Sequence, residues 1–312
     1  MTLSVNRMDY VTLAAGLPPS SRLGFGCGGI MGRVGRAPSL RAIAAAVDGG
    51  ITHFDVARLY GYGEAEALVG EALKDKRDRV VIASKFGLTA PRAAGALRAL
   101  KPIAQKLAAS VPGARAVLRS LVGGAAQAAD RFSLASAQAA LDQSLAALKT
   151  DYLDIWFLHD CAAEDLTDEL AVFLDRQVAV GKIRAYGVAT AIDAVLKLFA
   201  ARGDAMLYQF ASGLCVPNAE RLPSGERRFI AHSPFAGSAR VAARLAASGD
   251  TYPMMLAQAL AAPNVAVVLC SMLDEAHLRA NLDAIERPRF SAAEIARFVA
   301  MLAEPMVRAP AA

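Results

Sequence analysis

No apolar run in this chain reaches the eighteen or so residues that a membrane-crossing helix needs, so no transmembrane segment is expected. The stretch from Met1 to Gly16 lacks a charged region followed by an apolar one, and no signal peptide is expected either. Cysteine is sparse: Cys27, Cys161, Cys215 and Cys270 are scattered, with no C-x-x-C pair and no metal-ligand spacing. That pattern points to free thiols in a reducing cytoplasm and to no metal site. Charged residues make up only 20% against 55% hydrophobic, which excludes a disordered chain. A basic surface for nucleic acid is also lacking. The formal net charge is +5, but Arg92, Arg98, Lys101, Lys106, Arg115, Arg119 and Arg131 stand against the one acid Asp130 between residues 89 and 131. The excess is local, the rest of the chain is close to neutral, and no nucleic-acid partner is expected.

What the chain does have is a regular alternation. Strand-like runs at Arg22–Gly28, His53–Ala57, Val80–Phe86, Tyr152–His159, Ile183–Ala189, Met206–Ala211, Phe229–Ser233 and Val265–Ser271 are separated mostly by amphipathic stretches. Among these are Leu40–Asp48, Glu64–Lys74, Leu134–Leu148, Glu169–Val180 and Ile192–Ala201, and Ala292–Leu302 follows the last strand. Strands apolar on both faces, separated by helices, predict a parallel sheet covered by helices. Eight such units predict a closed (β/α)8 TIM barrel forming one domain over residues 1–312, a size normal for that architecture. Leu214–Glu226 is rich in Pro and Gly and predicts no helix. Residues 89–131, between the third strand and its helix, are far longer than a usual βα loop. Pro102 and Pro112 each suit a first helical position, so two short helices are expected there, read as a lid over the mouth of the barrel, with a solvated insertion on the barrel side and a docking surface for an anionic membrane or acidic partner as the alternatives.

Active sites of such barrels lie at the C-terminal ends of the strands. Asp55, Lys85 and His159 close the second, third and fourth strands, so an acid, an ammonium and an imidazole converge on neighbouring strand ends. Tyr60 follows in the loop just beyond Asp55. At roughly 4 Å and an effective dielectric near 20, a lysine is worth about 4 kcal/mol to a phenolate. That is enough to draw a tyrosine by up to about 3 pH units towards neutrality. Such a phenol can protonate a carbonyl oxygen as hydride reaches carbon. Each residue taken alone also has a bland structural reading, as a salt bridge, a satisfied histidine or a loop tyrosine.

The run Asp55-Val-Ala-Arg-Leu-Tyr60-Gly-Tyr-Gly-Glu64 resembles the aldo-keto reductase signature Asp-x-x-x-x-Tyr-Gly-x-x-Glu. Lys85 in Ala-Ser-Lys-Phe-Gly and His159 in Phe-Leu-His-Asp sit where that family keeps its lysine and histidine. The resemblance runs from about Leu23 to Asn281, interrupted by 89–131. It implies Tyr60 as proton donor, Lys85 and Asp55 as its tuners, and His159 orienting the carbonyl of a small-molecule carbonyl or alcohol substrate. It also implies an NADP or NAD cofactor across the barrel mouth. Asp55 and the turn Gly26, Cys27 and Gly28 would touch it, and Gln209 matches the glutamine that contacts the carboxamide. Ala189-Thr190 replaces the usual Ser-Asn, leaving the Thr190 hydroxyl, and His232 replaces the customary stacking aromatic. Ser233, Pro234 and Phe235 would line the pyrophosphate, and Asn281 the adenine. The Lys and Arg that many members place on a 2′-phosphate are missing around Ser271 and His277, so Arg279 is the cation expected to serve and little preference for NADPH over NADH is expected.

Two other functions compete with the reductase. Gly24-Phe-Gly26-Cys-Gly-Gly29 spells the dinucleotide fingerprint of Rossmann dehydrogenases, but Gly32, Gly35 and Pro38 delay the helix that should open at once. A cofactor-binding scaffold subunit with little turnover is the other alternative, and the intact Asp-Tyr-Lys-His set argues against it. The sequence names neither the substrate nor an oligomeric state.

Overall fold

The computed structural model describes residues 8–90, 130–225, 228–244, 251–287 and 289–303. Nearly all of the segment expected to be a lid, with both helices expected at Pro102 and Pro112, lies outside the described residues.

Eight parallel strands close into a barrel: β3 (Leu23–Gly26), β4 (His53–Asp55), β5 (Val81–Phe86), β6 (Leu153–His159), β7 (Ile183–Ala189), β8 (Leu207–Ala211), β9 (Phe229–His232) and β10 (Val265–Cys270). They follow chain order around the ring, with β10 returning to pair with β3. The (β/α)8 expectation holds, and each expected strand run contains one of these strands. The helices pack outside: α1 (Arg36–Asp48), α2 (Ala65–Leu73), α3 (Leu134–Leu148), α4 (Asp168–Ala179), α5 (Ile192–Arg202), α6 (Ser238–Arg244), α7 (Thr251–Ala261), α8 (Glu275–Glu286) and α9 (Ala292–Ala303). Between β8 and β9 the helical structure among the described residues is a 3-10 turn at Asn218–Arg221, as the Pro and Gly content predicts.

Local chemistry sets where these helices start. Ser133 Oγ accepts from the Ser136 amide at 3.2 Å, and Thr167 Oγ1 accepts from Leu170 at 3.2 Å, capping α3 and α4. Gly70 lets α2 lie against the end of α3, since a Cβ there would fall 2.2 Å from the Leu148 carbonyl oxygen. Helix α1 begins two residues before Pro38, which its first turn accommodates because the missing amide has no partner there anyway.

Alternation along the strands divides the core in two. Outward residues such as Trp156, Leu158 and Ile82 pack under the helices. Inward ones, including Val81, Ala83, Ile155, Phe157, Leu207, Ile230 and Leu269, fill the barrel. A hairpin absent from the sequence reading, β1 (Tyr10–Val11) with β2 (Ser20–Ser21), precedes the barrel, and its loop packs Leu13 and Leu17 against these inward residues. The opposite end keeps its inward polar side chains Asp55, Lys85 and Gln209, so the barrel is dry at one end and chemically equipped at the other.

Candidate active site

Period-two alternation directs Lys85 inward with Val81 and Ala83, and His159 inward with Ile155 and Phe157. Asp55 ends β4, where its neighbour β5 brings Lys85 alongside. The Lys85 ammonium donates to Asp55 Oδ1 at 2.5 Å and to the Val56 carbonyl at 3.1 Å. Both side chains are nearly water-free, at 2% and 5% exposed. Burial alone would lower the Lys85 pKa, but Asp55, and after it Tyr60, reverse this and leave it above the ordinary lysine value. The lysine is therefore fixed and charged. Gln209 Nε2 donates to the other Asp55 oxygen at 3.0 Å.

Tyr60 stands on the turn Tyr60–Gly63, which bends through Gly61 (φ +59°) and Tyr62 (φ +60°). A Cβ at Gly61 would fall 2.7 Å from the Ile30 carbonyl oxygen, so only glycine lets this turn pack under the loop after β3. Lys85 Nζ lies 5.1 Å from the Tyr60 ring centre, and the His159 ring meets Tyr60 edge-on with centroids 6.1 Å apart. Acid, ammonium, phenol and imidazole thus share one site.

The phenol departs from the expectation of a near-neutral pKa. Burial raises Tyr60 above its ordinary value, Lys85 draws it back only in part, and Asp55 pushes it up again. An ammonium bound 2.5 Å from a carboxylate acts on its neighbour more as a dipole than as a free charge. Tyr60 consequently keeps its proton at neutral pH. Burial, followed by Lys85, lowers His159 to about 3, so its imidazole is neutral. Its Nδ1 is buried without a hydrogen-bond partner among the described residues. His232 is also shifted down, chiefly by burial, and its Nδ1 lies 2.9 Å from Ser233 Oγ.

These groups face a cavity of about 540 Å³ at the C-terminal ends of the strands. Asp55, Tyr60, Lys85 and His159 all line it. So do Gly26, Gly28, Gln209 and Ser271, together with the run His232, Ser233, Pro234 and Phe235. Four of the residues expected to touch the cofactor do not line this cavity. Cys27 is fully buried behind the turn, its thiol directed to the Phe25 carbonyl at 3.8 Å. Thr190 spends its hydroxyl proton on the Cys161 carbonyl at 2.6 Å, and Ala189 takes its place on the wall. Arg279 is exposed and paired along α8 with Glu275. Asn281 is buried on the same helix, off the cavity wall. Arg33, which the sequence reading passed over, does line the cavity. Its signal was its place in the loop after β3, at the end of the barrel where such loops gather.

No cluster of three or more His, Cys, Asp or Glu able to hold a metal occurs among the described residues. The residues do fit a nicotinamide dinucleotide. Gln209 Oε1 is buried at the cavity with no partner among the described residues, an acceptor available to an amide N–H, and Gly26 and Gly28 place no side chain on the β3 side of the wall.

Comparison with known proteins agrees with this geometry. The Aldo/keto reductase family pattern matches residues 22–239. The aldo-keto reductase YhdN of Bacillus subtilis is 30% identical over 187 residues, covering 58% of this chain and 46% of that protein. The 6-dehydroglucose reductase of Novosphingobium aromaticivorans is 32% identical over 167 residues, 49% of this chain and 42% of that protein. The matched stretch thus spans under half the length of either relative. The solved structure of aldo-keto reductase AKR11C1 from Bacillus halodurans in its holo form superposes with a TM-score of 0.71 at 22% identity, covering 96% of this chain and 97% of that one. An aldo-keto reductase from Klebsiella pneumoniae in complex with NADPH gives 0.62 at 22% identity, with 92% and 93% covered. Pattern, fold and site agree, and the chain belongs to the aldo/keto reductase family.

Proposed function

We propose that this protein is an NAD(P)-dependent carbonyl reductase or alcohol dehydrogenase acting on a small aldehyde, ketone or sugar. The observation that carries this reading is the convergence of Asp55, Lys85, Tyr60 and His159 on one cavity, with the phenol protonated and the imidazole neutral. The relatives' names, 6-dehydroglucose reductase and methylglyoxal reductase among them, support carbonyl chemistry.

In this reading Gly26, Gly28, Gln209, His232, Ser233, Pro234, Phe235 and Ser271 hold the dinucleotide. When bound, its reduced nicotinamide supplies hydride. Tyr60 donates its proton to the carbonyl oxygen, and the Lys85 ammonium stabilises the phenolate left behind. Asp55 keeps Lys85 charged and in place, and its second oxygen orients Gln209. His159 offers a ring N–H to the carbonyl oxygen without competing as an acid, because its environment resists protonation. The four free thiols suit a reducing compartment, so the proposal places the enzyme in the cytoplasm.

A scaffold subunit that binds cofactor without turnover is favoured by one observation: the Thr190 hydroxyl proton is committed to the backbone. The chain has a single tryptophan, Trp156, buried off the cavity wall, so quenching of its emission by energy transfer to bound NADPH or NADH reports binding. Aldehyde and sugar panels with both cofactors then report turnover. The reductase reading expects binding and turnover together. Binding with no turnover on any substrate supports the scaffold, and no binding of either dinucleotide refutes both.

A further inference from the structure

We propose that Arg33, on the loop after β3, is the cation that holds a phosphate of the dinucleotide; this rests on the reductase reading above. Among the described residues, two cations line the cavity, Lys85 and Arg33. The Lys85 ammonium is committed to Asp55 and the Val56 carbonyl at the buried end. Arg33 is exposed at the rim and, among the described residues, makes no ion pair and no side-chain hydrogen bond. Other arginines near the mouth are engaged: Arg279 with Glu275, and Arg131 with the Asp160 carbonyl and Asp165.

The stem of Arg33 is held in place. Its amide donates to the Gly29 carbonyl at 2.8 Å. A Cβ built on Gly29 would lie 3.2 Å from Arg33 Cδ and 2.4 Å from Leu273 Cδ1, so both side chains close over that glycine. Leu273 belongs to the turn after β10, and β10 pairs with β3 on the side away from β4. The guanidinium therefore stands by the β3–β10 edge of the mouth. Tyr60 and His159, which define where a carbonyl reacts, belong to the loop after β4 and the end of β6. The anion at the Arg33 edge is the one farther from the reacting atoms, as a dinucleotide phosphate is. A guanidinium suits this task because its planar fork matches phosphate oxygens two at a time. The neighbouring turn, with Ser271 and Leu273, offers no cation of its own.

The test is the dissociation constant of NADPH and of NADH, read by Trp156 quenching, for the wild type, Arg33→Ala, Arg33→Lys and Arg279→Ala. Arg33→Ala weakens NADPH about tenfold, the scale of one lost charge-assisted contact, with the loss largest at low salt. Arg33→Lys recovers part of it. Both arms support the assignment: NADPH alone weakened identifies the 2′-phosphate, and both dinucleotides weakened identify the pyrophosphate. Arg33→Ala binding within twofold of a wild type that does bind overturns the inference alone, as does a loss confined to Arg279→Ala. A wild type that binds neither dinucleotide overturns the reductase reading and this inference with it.

Discussion

Replacing His53 with glutamine removes most of the extra acid lability that this barrel owes to a histidine at its centre. His53 is completely buried two residues before Asp55, its Nδ1 3.1 Å from Ser20 Oγ and its Nε2 without a partner among the described residues. Burial lowers its pKa from 6.5 to about 4, with Asp55 and Lys85 acting in opposite directions. The folded chain thus resists protonation that the unfolded chain accepts. His53 costs no stability above pH 6.5, and the loss grows as pH falls from there to about 4. At about 1.36 kcal/mol per pH unit the full penalty is about 3.4 kcal/mol, of which about 2 kcal/mol has developed by pH 5. Urea unfolding of both proteins at pH 7.5 and pH 5 isolates this contribution, because the other titrating groups are common to both. The wild type should lose about 2 kcal/mol more than His53→Gln between the two pH values. Equal losses, within about 0.5 kcal/mol, would refute the assignment of His53 as a neutral core group.

Near the same end of the barrel, Asp154 is fully buried and accepts from Arg77 and Arg184, each at 2.6 Å, and from the Ile82 amide at 2.9 Å. Asp154→Asn leaves two guanidiniums short of their counter-ion, and the urea midpoint should fall by the equivalent of about 3 kcal/mol, the lower end for a broken buried pair because Arg184 is partly exposed. Activity per folded molecule should be unchanged, which active-site titration checks. The pH profile of kcat/KM for carbonyl reduction should lack a descending limb near neutrality, since Tyr60 keeps its proton beyond the ordinary phenol range. A fall centred near pH 7 contradicts that assignment.

The barrel was legible because each strand is an apolar run and each gap a helical one, a pattern that survives errors of one or two residues at the ends. The hairpin Tyr10–Val11 with Ser20–Ser21 was not, since two-residue strands show no period. Asp55, Lys85 and His159 could be placed by strand ends alone. The Tyr60 pKa could not, because spacing reveals a neighbouring charge but not the water removed from the phenol, and here desolvation is the larger effect. The orientation of Thr190 was not legible either, because its hydroxyl donates to the Cys161 carbonyl, a partner 29 residues away that only the fold supplies. Arg279 was readable: Glu275 stands one helical turn before it, the spacing that pairs charges along a helix. Arg33 went unnoticed because the loop after β3 shows no period that marks which side chain turns inward, and only the fold brings this one onto the cavity rim.

The most direct test of the central claim is the Tyr60→Phe variant, measured for turnover of whichever carbonyl the wild type reduces and for dinucleotide affinity by Trp156 quenching. Loss of the proton donor alone predicts turnover reduced about 10²–10⁴-fold with the dissociation constant of the cofactor nearly unchanged. Wild-type turnover in Tyr60→Phe would contradict the claim that this phenol protonates the substrate.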